Sequence, residues 1–224
     1  MPLQNRVIPF GDIVAVVDRG LLMGNRGILH DPATRTIQRP WSNRRWLVCR
    51  CEFKGRRRNL MSPGRWTELF FLDEATALAA GHRPCFECRR TDAEAFRAAW
   101  VLGNGGPAPK AAGMDTILHA ERLLRREKRL YPLHQAISAL PDGAMLSAGG
   151  GSFLVTAGSL LRWTSAGYET ATVEPPLSML LLTPPSTLRA LAAGYRPSLH
   201  SSALPPLTLD RPGRRSSIKS EGHP

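Results

Sequence analysis

Short apolar runs separated by glycine and proline characterise the first 72 residues of this 224-residue chain. Runs rich in Val, Ile, Phe and Trp that are bounded by turn residues are typical of β-strands. Gly24-Asn25 and Gly27 supply turn chemistry between paired strands. The pattern predicts strands or hairpins over residues 6–17, 21–30, 46–53 and 66–72.

A helical pattern begins after the last of these runs. Asp73 is the predicted N-cap, apolar residues then recur on one face, and Gly81 follows the last turn. Pro84 blocks any continuation of this helix. A second helix is predicted from the capping box of Thr91 and Glu94 and from the apolar residues that follow it at i, i+3 and i+4 spacing.

The second half of the chain combines strands with helices. Residues 102–114 are rich in glycine and predict a flexible connector, after which Asp115 is the predicted N-cap of a third helix. Apolar runs between glycines over 144–173 predict a small antiparallel sheet. Thr183, followed by Pro184, is predicted to cap a last helix. These elements together predict an α+β fold.

The predicted organisation has three parts. A β-rich N-terminal part contains all four cysteines, an α+β part follows the connector, and a basic tail with few apolar residues ends the chain. These parts span residues 1–101, 115–203 and 204–224.

One segment occurs twice with little change. Residues 77–86 and residues 190–199 are identical at seven of ten positions, in the pattern Ala-Leu-Ala-Ala-Gly-x-Arg-Pro. A shared way of ending a helix and a duplicated module both account for the repeat. In a duplication, Ser198 would stand where the first copy has Cys85.

Positive charge is concentrated near the start of the chain. The sequence has 30 Lys and Arg against 18 Asp and Glu, a net charge of +12, and residues 35–58 contain nine basic residues against Glu52 alone. Arginine binds phosphates bidentately and aromatic rings stack on bases, so this segment, which includes Trp41 and Trp46, favours a nucleic acid partner, with DNA preferred. A solvated basic face with the tryptophans in the core is the alternative. The candidate nucleic-acid-binding residues are Arg44, Arg45, Arg50, Lys54, Arg56, Arg57 and Arg58.

The four cysteines form two close pairs, Cys49-x-Cys51 and Cys85-x-x-Cys88. In a reducing compartment such pairs indicate a metal site rather than disulfides, and four thiolates suit tetrahedral zinc. Alternation along a strand would turn Cys49 and Cys51 to the same side. The spacing therefore predicts Zn²⁺ on all four cysteines, while free thiols or a redox pair at Cys85 and Cys88 are the alternatives. Arginines next to the cysteines in sequence are expected to offset the negative charge of the site: Arg50, Arg83, Arg89 and Arg90.

Residues 77–89, which read Ala-Leu-Ala-Ala-Gly-His-Arg-Pro-Cys-Phe-Glu-Cys-Arg, carry a family resemblance. Over about residues 46–98 the chain resembles the metal-binding module of Ada-type methylphosphotriester DNA repair proteins. The resemblance implies a small α/β zinc module with four cysteine ligands, embedded in the longer chain, and DNA binding. In the repair proteins one zinc-bound cysteine accepts a methyl group, and Cys49 corresponds to it by order. The first cysteine pair departs from the family pattern. The family has the three residues Arg-Pro-Ser between the two cysteines, whereas this chain has only Arg50.

Other functions fit parts of the sequence. His119-x-Glu121 with Pro84-Cys85-x-x-Cys88 contains the residue types of zinc deaminases, but in reversed order. A hydrolase site around His119, Glu121 and His134 would act without the cysteines. A protein-interaction module with structural zinc is a further alternative. His82 is an additional candidate ligand or neighbour of the ligands.

The sequence also bears on location. No run of about 18 uncharged apolar residues is present, so a membrane-spanning helix is not predicted. The first ten residues lack a basic segment followed by an apolar one, so a secretory signal is not predicted either. We therefore expect the protein in the cytoplasm.

Overall fold

The structure is a computed structural model that describes residues 1–55, 59–171 and 178–204. It confirms the predicted α+β class, because one mixed sheet and one antiparallel sheet pack with four helices. The predicted tail, residues 204–224, lies outside the described residues apart from Leu204.

The first sheet is built by the N-terminal part of the chain. Its six strands are arranged in the order β2-β1-β5-β3-β4-β6, and the pairs β1–β5 and β4–β6 are parallel. Gly24 and Asn25 lie inside a strand and not in the predicted turn, because β3 pairs with both β4 and β5. The strands are β1 (Gln4–Val7), β2 (Ile13–Ala15), β3 (Leu22–Asn25), β4 (Leu47–Arg50), β5 (Leu69–Phe71) and β6 (Arg83–Pro84).

Helix α1 (Glu74–Ala79) connects β5 to β6. The Asp73 side chain accepts a hydrogen bond from the Thr76 backbone N–H at 2.9 Å, which confirms the predicted N-cap. The chain leaves the helix through Gly81, whose φ of +88° is a left-handed conformation that suits glycine. The sequence therefore determines both ends of this helix.

Helices α2 (Arg90–Asn104) and α3 (Ala111–Arg122) differ from the prediction at their ends. Thr91 lies inside α2 and no side chain caps that helix, so the predicted capping box is wrong. The predicted connector, residues 102–114, is shorter than expected, because α2 extends to Asn104 and α3 begins at Ala111, which leaves residues 105–110 between them. Asp115 lies inside α3 and not at its N-cap, because it forms a buried ion pair with Arg83.

The second sheet is antiparallel throughout, in the order β13-β12-β11-β10-β14-β9, which confirms the predicted C-terminal sheet. The small hairpin β7–β8 precedes it and follows α3 directly. These strands are β7 (Leu123–Leu124), β8 (Glu127–Lys128), β9 (Tyr131–Pro132), β10 (Met145–Ala148), β11 (Gly151–Thr156), β12 (Ser159–Thr164), β13 (Gly167–Thr170) and β14 (Leu180–Leu181).

The last helix, α4 (Pro185–Ala192), begins one residue later than predicted. Its N-cap is Pro184, and the Thr183 hydroxyl accepts a hydrogen bond from the Met145 backbone N–H instead of capping the helix. Gly194 follows the helix with a φ of +104°, as Gly81 does after α1. Two short 3-10 helices cover Ile137–Ala139 and Ser201–Ala203.

The hydrophobic core is shared between the two halves of the chain. One buried cluster packs Phe96 and Trp100 of α2 against Met114 and Leu118 of α3 and Leu191 of α4. A second packs residues of α1 against the antiparallel sheet. Each of the predicted parts, 1–101 and 115–203, thus contains one of the two large sheets, and the buried apolar clusters contain residues of both parts. The helices of the described residues lack the length and the apolar character of a membrane span.

Candidate metal centre

Three of the four cysteines meet where β4 and β6 end. These strands are parallel, and the Cys85 backbone N–H continues their pairing by donating to the Val48 carbonyl at 2.9 Å. This pairing sets Cys85 beside Cys49, the third residue of β4. The turn after β6 then brings Cys88 to the same place, as expected for a Cys-x-x-Cys pair.

The three sulfurs of Cys49, Cys85 and Cys88 lie within 4.8 Å of one another. The residues are 8 %, 8 % and 9 % exposed, and they pack with Met23, Leu47 and Phe70. Tetrahedral zinc with Zn–S bonds of about 2.3 Å separates two sulfur ligands by about 3.8 Å. The cluster therefore needs only a small contraction to hold a metal ion.

Cys51 is not part of this group. Strand β4 ends at Arg50, so the side-chain alternation used for the prediction does not extend to Cys51. Cys51 is exposed, and its thiol donates to the Leu21 carbonyl at 3.4 Å. The structure thus brings together three of the four predicted ligands.

The three thiols also affect one another's protonation. Hydrogen bonds to Cys85 and Cys88, together with burial, raise the pKa of the Cys49 thiol. Hydrogen bonds from Cys49 and Cys88 lower the pKa of the Cys85 thiol to about 2. The Glu87 backbone N–H also donates to the Cys85 sulfur, at 3.4 Å. The cluster therefore favours one thiolate that accepts hydrogen bonds from the other two thiols.

Buried ion pairs fix the chain on both sides of the cysteine turn. Arg83 forms a bidentate pair with Asp115, with both N–O distances at 2.8 Å. Arg89 pairs with Glu74 at 2.8 Å, and Glu74 also accepts a hydrogen bond from the Tyr195 hydroxyl at 2.7 Å. Both arginines are committed to carboxylates, so they contribute less to offsetting thiolate charge than the sequence predicted.

The basic residues predicted to bind nucleic acid are at the surface where they are described. Arg44, Arg45, Arg50 and Lys54 are all exposed, whereas the other three candidates, Arg56, Arg57 and Arg58, lie outside the described residues. Trp46 is 3 % exposed, so its ring is not available to stack on a base.

The residues of the alternative sites have other roles. The Glu121 carboxylate accepts hydrogen bonds from the Ser186 N–H and hydroxyl, so it caps the start of α4. His119 lies 3.0 Å from an Arg122 guanidinium nitrogen, and His134 is exposed. In the described part of the chain these three residues belong to no group that could hold a metal ion.

His82 is fully buried and is not a metal ligand in this geometry. Its Nε2 accepts a hydrogen bond from Arg26 Nε at 3.0 Å, and its Nδ1 lies 3.2 Å from the Leu47 carbonyl. Burial and the nearby Arg26 and Arg122 lower its pKa well below the ordinary value, so the ring is neutral. The neutral ring carries its proton on Nδ1, facing the Leu47 carbonyl, which leaves Nε2 free to accept the hydrogen bond from Arg26.

A cluster of buried cations surrounds Trp46, and no sequence pattern predicted it. The guanidiniums of Arg26 and Arg122 lie 3.9 and 3.8 Å from the Trp46 ring centre, and Lys128 lies near them. Arg26, Trp46 and the segment that contains Arg122 and Lys128 are far apart in the sequence and share no motif. No local signal identifies them.

No protein-family model matches the sequence, and no match is found among curated proteins or among solved structures. The function therefore has to be argued from the chemistry of the chain itself.

Proposed function

We propose that this protein binds zinc through Cys49, Cys85 and Cys88 and binds nucleic acid, with DNA preferred, through its exposed basic segment. The observation that carries the zinc proposal is the convergence of three sulfurs within 4.8 Å. Thiolate ligands favour zinc over magnesium or calcium, which prefer oxygen. When bound, the ion would crosslink β4 to the turn after β6 and act as a Lewis acid at its remaining coordination position.

The three-cysteine set gives the proposal a distinguishing feature. Structural zinc sites use four protein ligands, whereas sites with three leave a position for an external ligand. Cys51 is close to Cys49 in the sequence, but its thiol is hydrogen-bonded to the Leu21 carbonyl. We therefore assign it no ligand role, although the Ada-type resemblance would include it.

Elemental analysis of purified variants tests the zinc site. Cys85→Ser is expected to remove most of the bound zinc, because it deletes a central thiolate. Cys51→Ser is the matched control and is expected to retain one zinc per chain with nearly unchanged affinity. If both variants lose zinc equally, the three-cysteine assignment is wrong and the four-cysteine site of the resemblance is favoured. Failure of the wild-type protein to bind zinc would overturn the proposal itself.

The nucleic acid proposal is supported by exposed charge. Arg44, Arg45, Arg50 and Lys54 can reach phosphates from the surface, and the segment 35–58 contains nine of the chain's basic residues. Arg50 directly follows Cys49 in β4, so a phosphate bound there would hold a nucleic acid strand close to the metal centre.

A salt titration of affinity for duplex DNA, followed by fluorescence anisotropy, tests this second part. We expect log Kd to rise steeply with log salt, and the Arg44→Ala/Arg45→Ala variant to lower the slope by about 1 for each phosphate that these arginines neutralise. The exposed Arg125→Ala is the control and should leave the slope unchanged. A flat wild-type slope would show that phosphate binding does not drive the association.

The methyl-acceptor role implied by the resemblance remains a prediction. Cys49 is 8 % exposed and is surrounded by the other two thiols, so a phosphotriester would reach its sulfur only after local opening. We therefore do not include methyl transfer in the proposed function.

A further inference from the structure

A second candidate site lies at the opposite end of the β4–β6 pair. A half-open cavity of about 430 Å³ lies between the turn that joins β1 to β2, the end of β3 and the β7–β8 hairpin. This volume is within the range of small-molecule sites, about 300–1,000 Å³. None of the four cysteines lines it.

The floor of this cavity is cationic and aromatic. Arg26 and Arg122 are each 1 % exposed, and both stack on Trp46, which is 3 % exposed. Lys128 lines the cavity beside them. Each of these three charges loses hydration on burial. Placing them together in one cavity therefore lowers the stability of the fold unless an anion accompanies them.

In the described part of the chain, the hydrogen-bond acceptors of these three cations are backbone carbonyls and histidine rings, and not carboxylates. Arg26 donates to His82 and to the Gly11 carbonyl, and the Lys128 ammonium donates to the Ala79 carbonyl. Arg122 donates to the Gly81 carbonyl at 2.9 Å. Among the described residues, none of the three cations forms a salt bridge, and Arg26 Nη2 and Arg122 Nε are buried without a hydrogen-bond partner.

The pKa values of Lys128, Arg122 and Arg26 are all lowered, as expected for buried cations without a carboxylate partner. Burial, with repulsion from Arg26 and Arg122, lowers the pKa of Lys128 to about 7. Burial lowers the pKa of Arg122 to about 8 and that of Arg26 to about 9. A bound anion would reverse these shifts.

A fourth cation that lines the cavity, Arg126, comes from the turn between β7 and β8. The two residues that connect β7 to β8 are Arg125 and Arg126, with φ values of +59° and +135°. Turns of this kind favour Asn and Gly, so two arginines here carry a conformational cost. Arg126 is exposed, lines the cavity and lies over the Trp41 ring at 5.5 Å.

We propose that this cavity binds the terminal phosphate of a phosphate monoester of about mononucleotide size. The lining contains four cations and two carboxylates, Asp12 and Glu127, so its net charge of +2 matches a phosphate monoester dianion. Guanidiniums bind phosphate oxygens bidentately. Inorganic phosphate would leave most of the volume empty, so the organic part of the ligand packs against Phe10, Trp41 and Leu130.

Calorimetry on the full-length protein tests the proposal with three probes: AMP, ribose 5-phosphate and uncharged adenosine. AMP is expected to bind at least about tenfold more tightly than adenosine, as charge-assisted hydrogen bonds predict. Arg126→Ala should weaken AMP binding about tenfold, while the neighbouring Arg125→Ala, which does not line the cavity, should change it less than about twofold. Both positions are exposed, so both variants are expected to fold.

Two further oligonucleotides identify the source of the phosphate. A 5′-phosphorylated hexamer that binds more tightly than AMP, when its 5′-hydroxyl counterpart does not, would assign the site to nucleic acid ends. AMP binding that equals or exceeds that of the phosphorylated hexamer would assign it to small molecules. Equal binding of AMP and adenosine, or no binding of any phosphate monoester, would overturn the proposal. The zinc content and the salt slope for duplex DNA are separate readouts, so they distinguish this outcome from failure of the proposed function.

Discussion

At the scale of single residues, the main feature is that charges are buried in two different ways. Arg83 and Arg89 are buried with carboxylate partners, and both brace the cysteine turn. Arg26 and Lys128 are held by carbonyls and by neutral His82 instead. The first arrangement fixes the turn that carries the three-cysteine cluster, whereas the second leaves the positive charge without a carboxylate partner.

The shifted pKa of Lys128 predicts a specific pH dependence. Its pKa is about 7 in the folded protein and about 10.5 when unfolded, so between these values the unfolded chain binds more protons. The cost of burying the ammonium is therefore present in full below pH 7 and is lost as the pH rises towards 10.5. We expect Lys128→Met to stabilise the protein, relative to wild type, more at pH 7 than at pH 10.

Urea unfolding of both proteins at several pH values measures this difference. The matched control is Lys110→Met, which removes an exposed ammonium and so relieves no burial. A difference between wild type and Lys128→Met that is constant from pH 7 to pH 10 would show that the ammonium is not buried in this environment.

At the scale of elements, α1 and α4 end in the same way, which explains the repeated segment. After α1 the His82 N–H donates to the Ala77 carbonyl at 3.0 Å, and after α4 the Tyr195 N–H donates to the Ala190 carbonyl at 3.1 Å. In both copies a glycine with positive φ precedes the donor residue. The shared helix ending is enough to account for the sequence identity.

The two glycines predict unequal costs of substitution. A Cβ at Gly81 would lie 2.6 Å from Arg122 Cβ, whereas a Cβ at Gly194 would have no atom within 4 Å. Gly194→Ala should therefore cost only the left-handed backbone strain, about 1–2 kcal/mol. Gly81→Ala should cost about 1–3 kcal/mol more, because Arg122 must move.

Denaturant unfolding at equilibrium measures both free energies. Because Arg122 lines the cationic cavity, Gly81→Ala should also weaken AMP binding, and Gly194→Ala should not. Equal destabilisation by the two substitutions would contradict the close contact between Gly81, just after α1, and the end of α3.

At the scale of the whole molecule, the sequence predicted the elements better than their assembly. The α+β class, the Asp73 cap and the antiparallel sheet follow from local patterns. The predicted caps at Thr91 and Asp115 failed because cap motifs do not report tertiary partners, and Asp115 is instead paired with Arg83. The shared core likewise depends on contacts between residues that are distant in sequence.

The candidate sites show the same limit. Cysteine spacing identified Cys49, Cys85 and Cys88, but only the end of β4 at Arg50 separates Cys51 from them. The cavity around Trp46 could not be predicted, because Arg26 and Trp46 lie far in sequence from the segment that contributes the other cations, Arg122 to Lys128. Local chemistry can be predicted where ligands lie close in sequence, as in a Cys-x-x-Cys pair.

Zinc K-edge X-ray absorption spectroscopy of the wild-type protein counts the sulfur ligands of the proposed three-cysteine centre. We expect three sulfur ligands at about 2.3 Å with one lighter ligand, and the same spectrum for Cys51→Ser. A shell of four sulfurs that falls to three in Cys51→Ser would contradict the three-cysteine assignment. A zinc shell of nitrogen and oxygen only would contradict the thiolate centre altogether.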